Sequence, residues 1–121
     1  LEGGAIFAEN TDLNSTNCVY SGNQNTANNG GGAIRLAGGS FHDRNGTFTA
    51  NTSASSGGAI LVSSVSGSVR NSSFSNNQAG FSGGAIRALD SNFTIDHSIF
   101  SLNSATGCHV SYFFLLVSNF K

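Results

Sequence analysis

Charge is what this 121-residue chain has least of: Asp, Glu, Lys and Arg make up 9% of it, against about 25% in a typical soluble domain. No cluster of Lys or Arg occurs, and a formal net charge of −1 leaves no basic stripe to displace counterions from a phosphate backbone. That excludes nucleic acid as a partner. Proline is absent while phenylalanine numbers 10. Disordered chains are usually rich in Pro and charge and poor in apolar residues, so this chain is expected to fold. Two cysteines, Cys18 and Cys108, are too few for a disulfide framework. The strongest apolar run, Tyr112 to Val117, is far short of the ~20 residues a membrane helix needs, so the chain is not expected to span a bilayer. It opens Leu1-Glu2-Gly3-Gly4, without the charged and apolar regions of a signal peptide, and reads as a fragment or a processed segment.

What replaces charge is Asn, Ser, Thr and 16 Gly, a composition with a secreted or cell-surface look, and these residues are not scattered. Gly-Gly-Ala-Ile occurs at Gly3 to Ile6, Gly31 to Ile34, Gly57 to Ile60 and Gly83 to Ile86, in steps of 28, 26 and 26 residues. A second motif, aromatic-x-x-Asn, falls at Tyr20/Asn23, Phe48/Asn51, Phe74/Asn77 and Phe100/Asn103. Its aromatic lies 17 residues after the first Gly in every copy. Two motifs locked in phase define tandem repeats over 3–30, 31–56, 57–82 and 83–106. A degenerate or truncated end follows over 107–121, where Gly107-Cys108-His109-Val110 stands in for a fifth start.

Apolar residues do not recur at helical spacing. They alternate: Ile34/Leu36 and Ile60/Val62 share one side while Arg35 and Leu61 take the other, and Val69, then Phe93 with Ile95, mark a second strand. A third segment carries the aromatic and the Asn. Three short strands and three Gly-, Ser- and Asn-rich corners make one coil, which cannot bury its own inner face. Successive coils must therefore stack at about 4.8 Å with equivalent strands paired in parallel. The predicted fold is all-β: a right-handed parallel β-helix, or solenoid, of about four coils, the hand following from the crossover rule. Stacking turns each column into a ladder. Ile6, Ile34, Ile60 and Ile86 form an aliphatic one; Tyr20, Phe48, Phe74 and Phe100 an aromatic one; and Asn23, Asn51, Asn77 and Asn103 an amide one. Cys18 and Cys108 differ in column and lie about 15 Å apart along the axis, so they are expected to be unbridged.

The paired motifs Gly-Gly-Ala-Ile and Phe-x-x-Asn resemble the signature repeats of the polymorphic outer-membrane protein (Pmp) family over about residues 3 to 106, with Tyr20 in place of Phe in the first copy. The resemblance implies a surface-exposed, outer-membrane-associated β-solenoid linked to adhesion. It implies as partners the flanking coils of a larger parent protein, and host-cell surfaces or glycans.

Parallel β-helices also host polysaccharide lyases and hydrolases, so a carbohydrate-binding or pectin-lyase-like polysaccharide-cleaving solenoid is the alternative. Cleavage wants two carboxylates about 5–9.5 Å apart, yet Glu2, Glu9, Asp12, Asp43, Asp90 and Asp96 recur at no common column. Asp96 and His97, with Asp90 and Ser98 nearby, are the best local constellation, but strand neighbours point to opposite faces, and His97 sits in the column of Asn17, Asn45 and Asn71. His42-Asp43-Arg44 reads as a solvated polar corner, and Arg35 and Arg87 as solubilising charge on an outward column. No catalytic residue, cofactor or metal is assigned. Asn-x-Ser/Thr at Asn14, Asn45, Asn51, Asn71 and Asn92 permits N-glycosylation in a eukaryotic source, except at the inward Asn51.

Overall fold

The computed structural model describes residues 3–107 and the strand at 114–117. The first coil carries β1 (Ile6–Thr16), β2 (Val19–Ser21) and β3 (Gln24–Asn25); the second β4 (Ile34–Arg44), β5 (Thr47–Thr49) and β6 (Thr52–Ser53). The third carries β7 (Ile60–Ser63), β8 (Ser66–Arg70), β9 (Ser73–Ser75) and β10 (Gln78–Ala79), and the fourth β11 (Ile86–Asp96), β12 (Ile99–Ser101) and β13 (Ser104–Ala105). Every pairing is parallel and joins equivalent strands of successive coils. Three sheets result, one of six strands and two of four, and no helix occurs among the described residues. The molecule is a parallel β-solenoid.

The anatomy of a coil differs from the expected three strands. The first and second run together as a single bent strand in β1, β4 and β11, and a fourth, two-residue arm follows the ladder asparagine. Two residues leave almost no periodic signal, which is why alternation alone did not reveal that arm. The bend turns on a left-handed residue that recurs in one column as Asn10, Gly38, Ser64 and Asp90 (φ 49, 77, 56 and 49°), followed in the second coil by Gly39 at φ 90°. The next corner uses Asn17, Asn45, Asn71 and His97, and the one before the ladder uses Gly22, Ala50, Asn76 and Leu102, all at positive φ. The corners are therefore turned mostly by Asn and other non-glycine residues. Asn visits this region more readily than most residues, because its short amide bonds locally.

Glycine has a different use in Gly-Gly-Ala-Ile. A Cβ on Gly32 would lie 1.9 Å from the carbonyl oxygen of Gly58, and one on Gly58 1.9 Å from that of Gly84. The motif repeats because the neighbouring coil's backbone occupies the space of a side chain. The extra two residues of the first coil fall between Asn25 and Gly31, since Asn25 still pairs with Ser53 and Gly3 with Gly31. Asn25 Oδ1 accepts from the Ala27 amide at 2.7 Å and shapes that longer turn.

Inside, Ile34, Leu36, Phe41, Phe48, Ile60, Val62, Phe74, Ile86 and Phe93 are fully buried in one cluster. At the C-terminal side β14 (Phe114–Val117) adds a fifth rung to the large sheet, with Arg87 opposite Phe114. A strict 26-residue step would have put Phe113 there, so the register slips by one residue after the fourth coil.

Candidate functional site

The structure brings all twelve ladder residues together. Ile6, Ile34, Ile60 and Ile86 are successive register partners. Tyr20, Phe48, Phe74 and Phe100 stack face to face with centroids 4.7, 4.5 and 4.8 Å apart, a separation set by the strand spacing. The Tyr20 hydroxyl, at the open end of that stack, lies 2.9 Å from Ser15 Oγ. Burial pushes the phenol's pKa up, with the Ser15 bond pulling partly back.

The asparagine ladder has a direction. Oδ1 of each asparagine accepts both the backbone N–H and the side-chain N–H of the asparagine one coil earlier. These bonds are 3.0 and 3.0 Å at Asn51, 3.0 and 2.9 Å at Asn77, and 3.0 and 2.9 Å at Asn103. The second amide hydrogen of Asn51, Asn77 and Asn103 goes to the carbonyl of Tyr20, Phe48 and Phe74. Each interior amide thus satisfies all its groups while fully buried. Asn103 is 5% exposed; its Oδ1 accepts both bonds from Asn77 and its amide donates to the Phe74 carbonyl.

A second polar column escaped sequence reasoning. Ser72 Oγ accepts the Gly46 amide at 2.9 Å and Ser98 Oγ the Ser72 amide at 3.2 Å. The serines are visible in the repeat, but nothing in their spacing distinguishes them from the many solvent-facing serines around them.

Asp96 and His97 do meet, contrary to the expectation from strand alternation: His97 Nδ1 lies 2.5 Å from Asp96 Oδ1. The reason is that His97 is a left-handed corner residue at φ 49° and not a strand residue. Ser98, however, donates to the Asp96 carbonyl at 3.0 Å and accepts the Ser72 amide, so its hydroxyl is committed to main chain. Asp90 occupies the preceding corner. Among the described residues no group of three or more His, Cys, Asp or Glu could hold a metal. Glu2 and Cys108 lie outside the described residues, and Cys18 carries a free thiol.

Two polar placements are corrected. Arg35 and Arg87 share a column with Leu61 between them, but the face is not open: Arg35 is 7% and Leu61 2% exposed. Asn29, Ser55 and Phe81, from the turns that precede each Gly-Gly pair, border a groove with Leu61 and Arg87. Arg35 donates to the Leu36 carbonyl and to Ser63 Oγ (3.1 Å), and Arg87 to Ser56 (3.0 Å) and Ser82. Likewise His42-Asp43-Arg44 is the end of β4 and not a solvated loop, because its two outward residues flank an inward one. Asp43 is 2% exposed, its Oδ2 accepting from Ser72 Oγ at 2.7 Å and its Oδ1 without a hydrogen-bond partner among the described residues. Burial raises the pKa of its carboxyl above the ordinary value, and the hydroxyls of Ser72 and Ser15 offset part of the rise. Of the glycosylation sequons, Asn51 is fully buried while Asn14, Asn45, Asn71 and Asn92 are exposed.

A column of stacked identical rungs, with its polar groups spent on joining coil to coil, defines a structural repeat protein built as a parallel solenoid. The repeats are of the Pmp type: the family model for the Chlamydia polymorphic membrane protein repeat matches residues 45–63 and 71–89, each stretch holding one ladder aromatic, one ladder asparagine and one Gly-Gly-Ala-Ile. Such repeats imply association with the outer membrane or cell surface. Comparisons with curated proteins and with solved structures gave no match.

Proposed function

We propose that this solenoid is the rigid, surface-displayed part of an adhesin, stacked on flanking coils of a larger parent protein. The carrying observation is the Pmp-type repeat, matched twice at the 26-residue spacing of the coils. Support for stacking comes from the first coil: its three strands are edge strands, and Ile6, Leu13 and Tyr20 are only partly buried against the core where their interior counterparts are sealed. An edge of unpaired backbone and apolar side chains is what a further parallel coil would cover.

Beads coated with the folded chain should attach to cultured host cells, and free chain should compete. Beads that attach no better than those carrying a heat-unfolded sample would defeat the adhesive reading. Glycan release from the same cells would replace it with the polysaccharide-cleaving one.

A further inference from the structure

The chain has five basic side chains, Lys121 and four arginines, and Arg35 and Arg87 are taken up by serine hydroxyls. The remaining two arginines are direct neighbours: Arg44 of β4 is the register partner of Arg70 of β8, which places their strands about 4.8 Å apart. Like charges directly opposite destabilise a strand pair. One acid answers two cations, with Asp96 Oδ2 3.4 Å from Arg70 Nη2, while Arg44 makes no ion pair among the described residues. Both arginines are exposed.

Around them the outer face of the large sheet forms a groove of about 440 Å³ lined by Asn14, Thr16, His42, Arg44, Ser68 and Arg70. His42 Nδ1 lies 3.1 Å from Ser68 Oγ. Asp43 also borders the groove, but it is 2% exposed and bonds to the buried Ser72 hydroxyl, on the core side of the strand. The volume falls in the range of small-ligand sites. The lining is amide, hydroxyl, imidazole and guanidinium, donors and acceptors suited to sugar hydroxyls, held on a hydrogen-bonded sheet that needs no reorganisation. Among the described residues no Phe, Tyr or Trp lines it to stack a nucleobase.

We propose that this groove binds an anionic sugar, with a sulfate or carboxylate seated between the guanidinium groups of Arg44 and Arg70. The anion relieves the repulsion of the stacked pair, and a guanidinium fork can hold it through two hydrogen bonds. The site rests on the surface-adhesin reading and names its ligand class.

The test measures binding of three disaccharides of one size to the intact chain: one sulfated, one carrying only a uronic carboxylate, one neutral. At least one anionic disaccharide should bind, the neutral one at least tenfold more weakly, and whichever anion binds identifies the source of the charge. Arg44→Gln and Arg70→Gln should each weaken binding about tenfold at unchanged circular dichroism. Asp96→Asn should bind as tightly as the unaltered chain or more so, because it frees Arg70; a merely structural role for the Arg70–Asp96 pair would make Asp96→Asn as weak as Arg70→Gln. Equal binding of neutral and anionic sugars, wild-type binding by Arg44→Gln, or no binding of any of the three overturns the proposal. Cell attachment by the same protein separates the two readings. Attachment without sugar binding removes this site and leaves the adhesin, whereas sugar binding without attachment does the reverse.

Discussion

At the residue scale the asparagine ladder is asymmetric, because each amide oxygen serves the coil before it. Removing Asn103 strands the Asn77 backbone N–H and one of its side-chain N–H groups, whereas removing Asn23 leaves Asn51 Oδ1 still bonded to a backbone amide. Asn103→Leu is therefore expected to cost about 1–3 kcal/mol for each buried group left unpaired, and Asn23→Leu clearly less, in denaturant midpoints. Leu102 stands at φ 54° and is 80% exposed, so nothing in its contacts offsets the left-handed conformation. Leu102→Gly should stabilise by about 1 kcal/mol, and a lower thermal midpoint would contradict that. Asp43 has a raised carboxyl pKa because it is buried, so between its ordinary and its raised value the folded chain holds a proton that the unfolded chain releases. Stability must fall as pH rises through that window. Asp43→Asn should flatten this part of the stability–pH profile, measured by denaturation at a series of pH values, and should be the more stable form at neutral pH.

At the scale of the element, the aromatic stack shows what coil position is worth. Phe74 has rings on both sides, at 4.5 and 4.8 Å, and is fully buried. Tyr20 has one ring neighbour and an open flank. Phe74→Ala should cost about 3–5 kcal/mol, the transfer term plus an unfilled cavity, and Tyr20→Ala distinctly less. Equal midpoint shifts would mean that stacking does not govern this column. The neighbouring column is less regular: Gly67 lies between Phe41 and Phe93, whose rings approach to 6.3 Å across the missing side chain. A Cβ at Gly67 would meet the Phe41 carbonyl oxygen at 1.9 Å, so that gap is built into the backbone.

At the scale of the whole molecule, stability is a sum of coil and interface terms, each coil pairing its strands only with those of its neighbours. β1, β2 and β3 present unpaired edges, so a duplicate of residues 57–82 placed before Gly3 should raise the thermal midpoint and bury Tyr20. Unchanged stability would show that the first coil already caps the solenoid. The same one-dimensional design leaves the outer faces free of folding duties, and they are where the stacked arginines and the exposed sequons sit.

The repeat period, the parallel solenoid and the identity of the aliphatic, aromatic and amide columns were legible in the sequence. A ladder needs the same residue type at the same phase in every coil, and periodicity records that directly. Chain direction within the amide ladder was not legible, since an asparagine looks the same whichever neighbour it serves. Nor were the covered face over Arg35, the meeting of Asp96 with His97 and the inward turn of Asp43. Strand alternation assigns a side to each residue, but only the tertiary structure decides where a left-handed corner breaks that alternation and which turn folds back over a nominally outer column. The pairing of Arg44 with Arg70 was present as a 26-residue spacing all along. It became a groove only when the coils stacked, because two charges so far apart in sequence repel or share an anion only once the sheet holds them on adjacent strands.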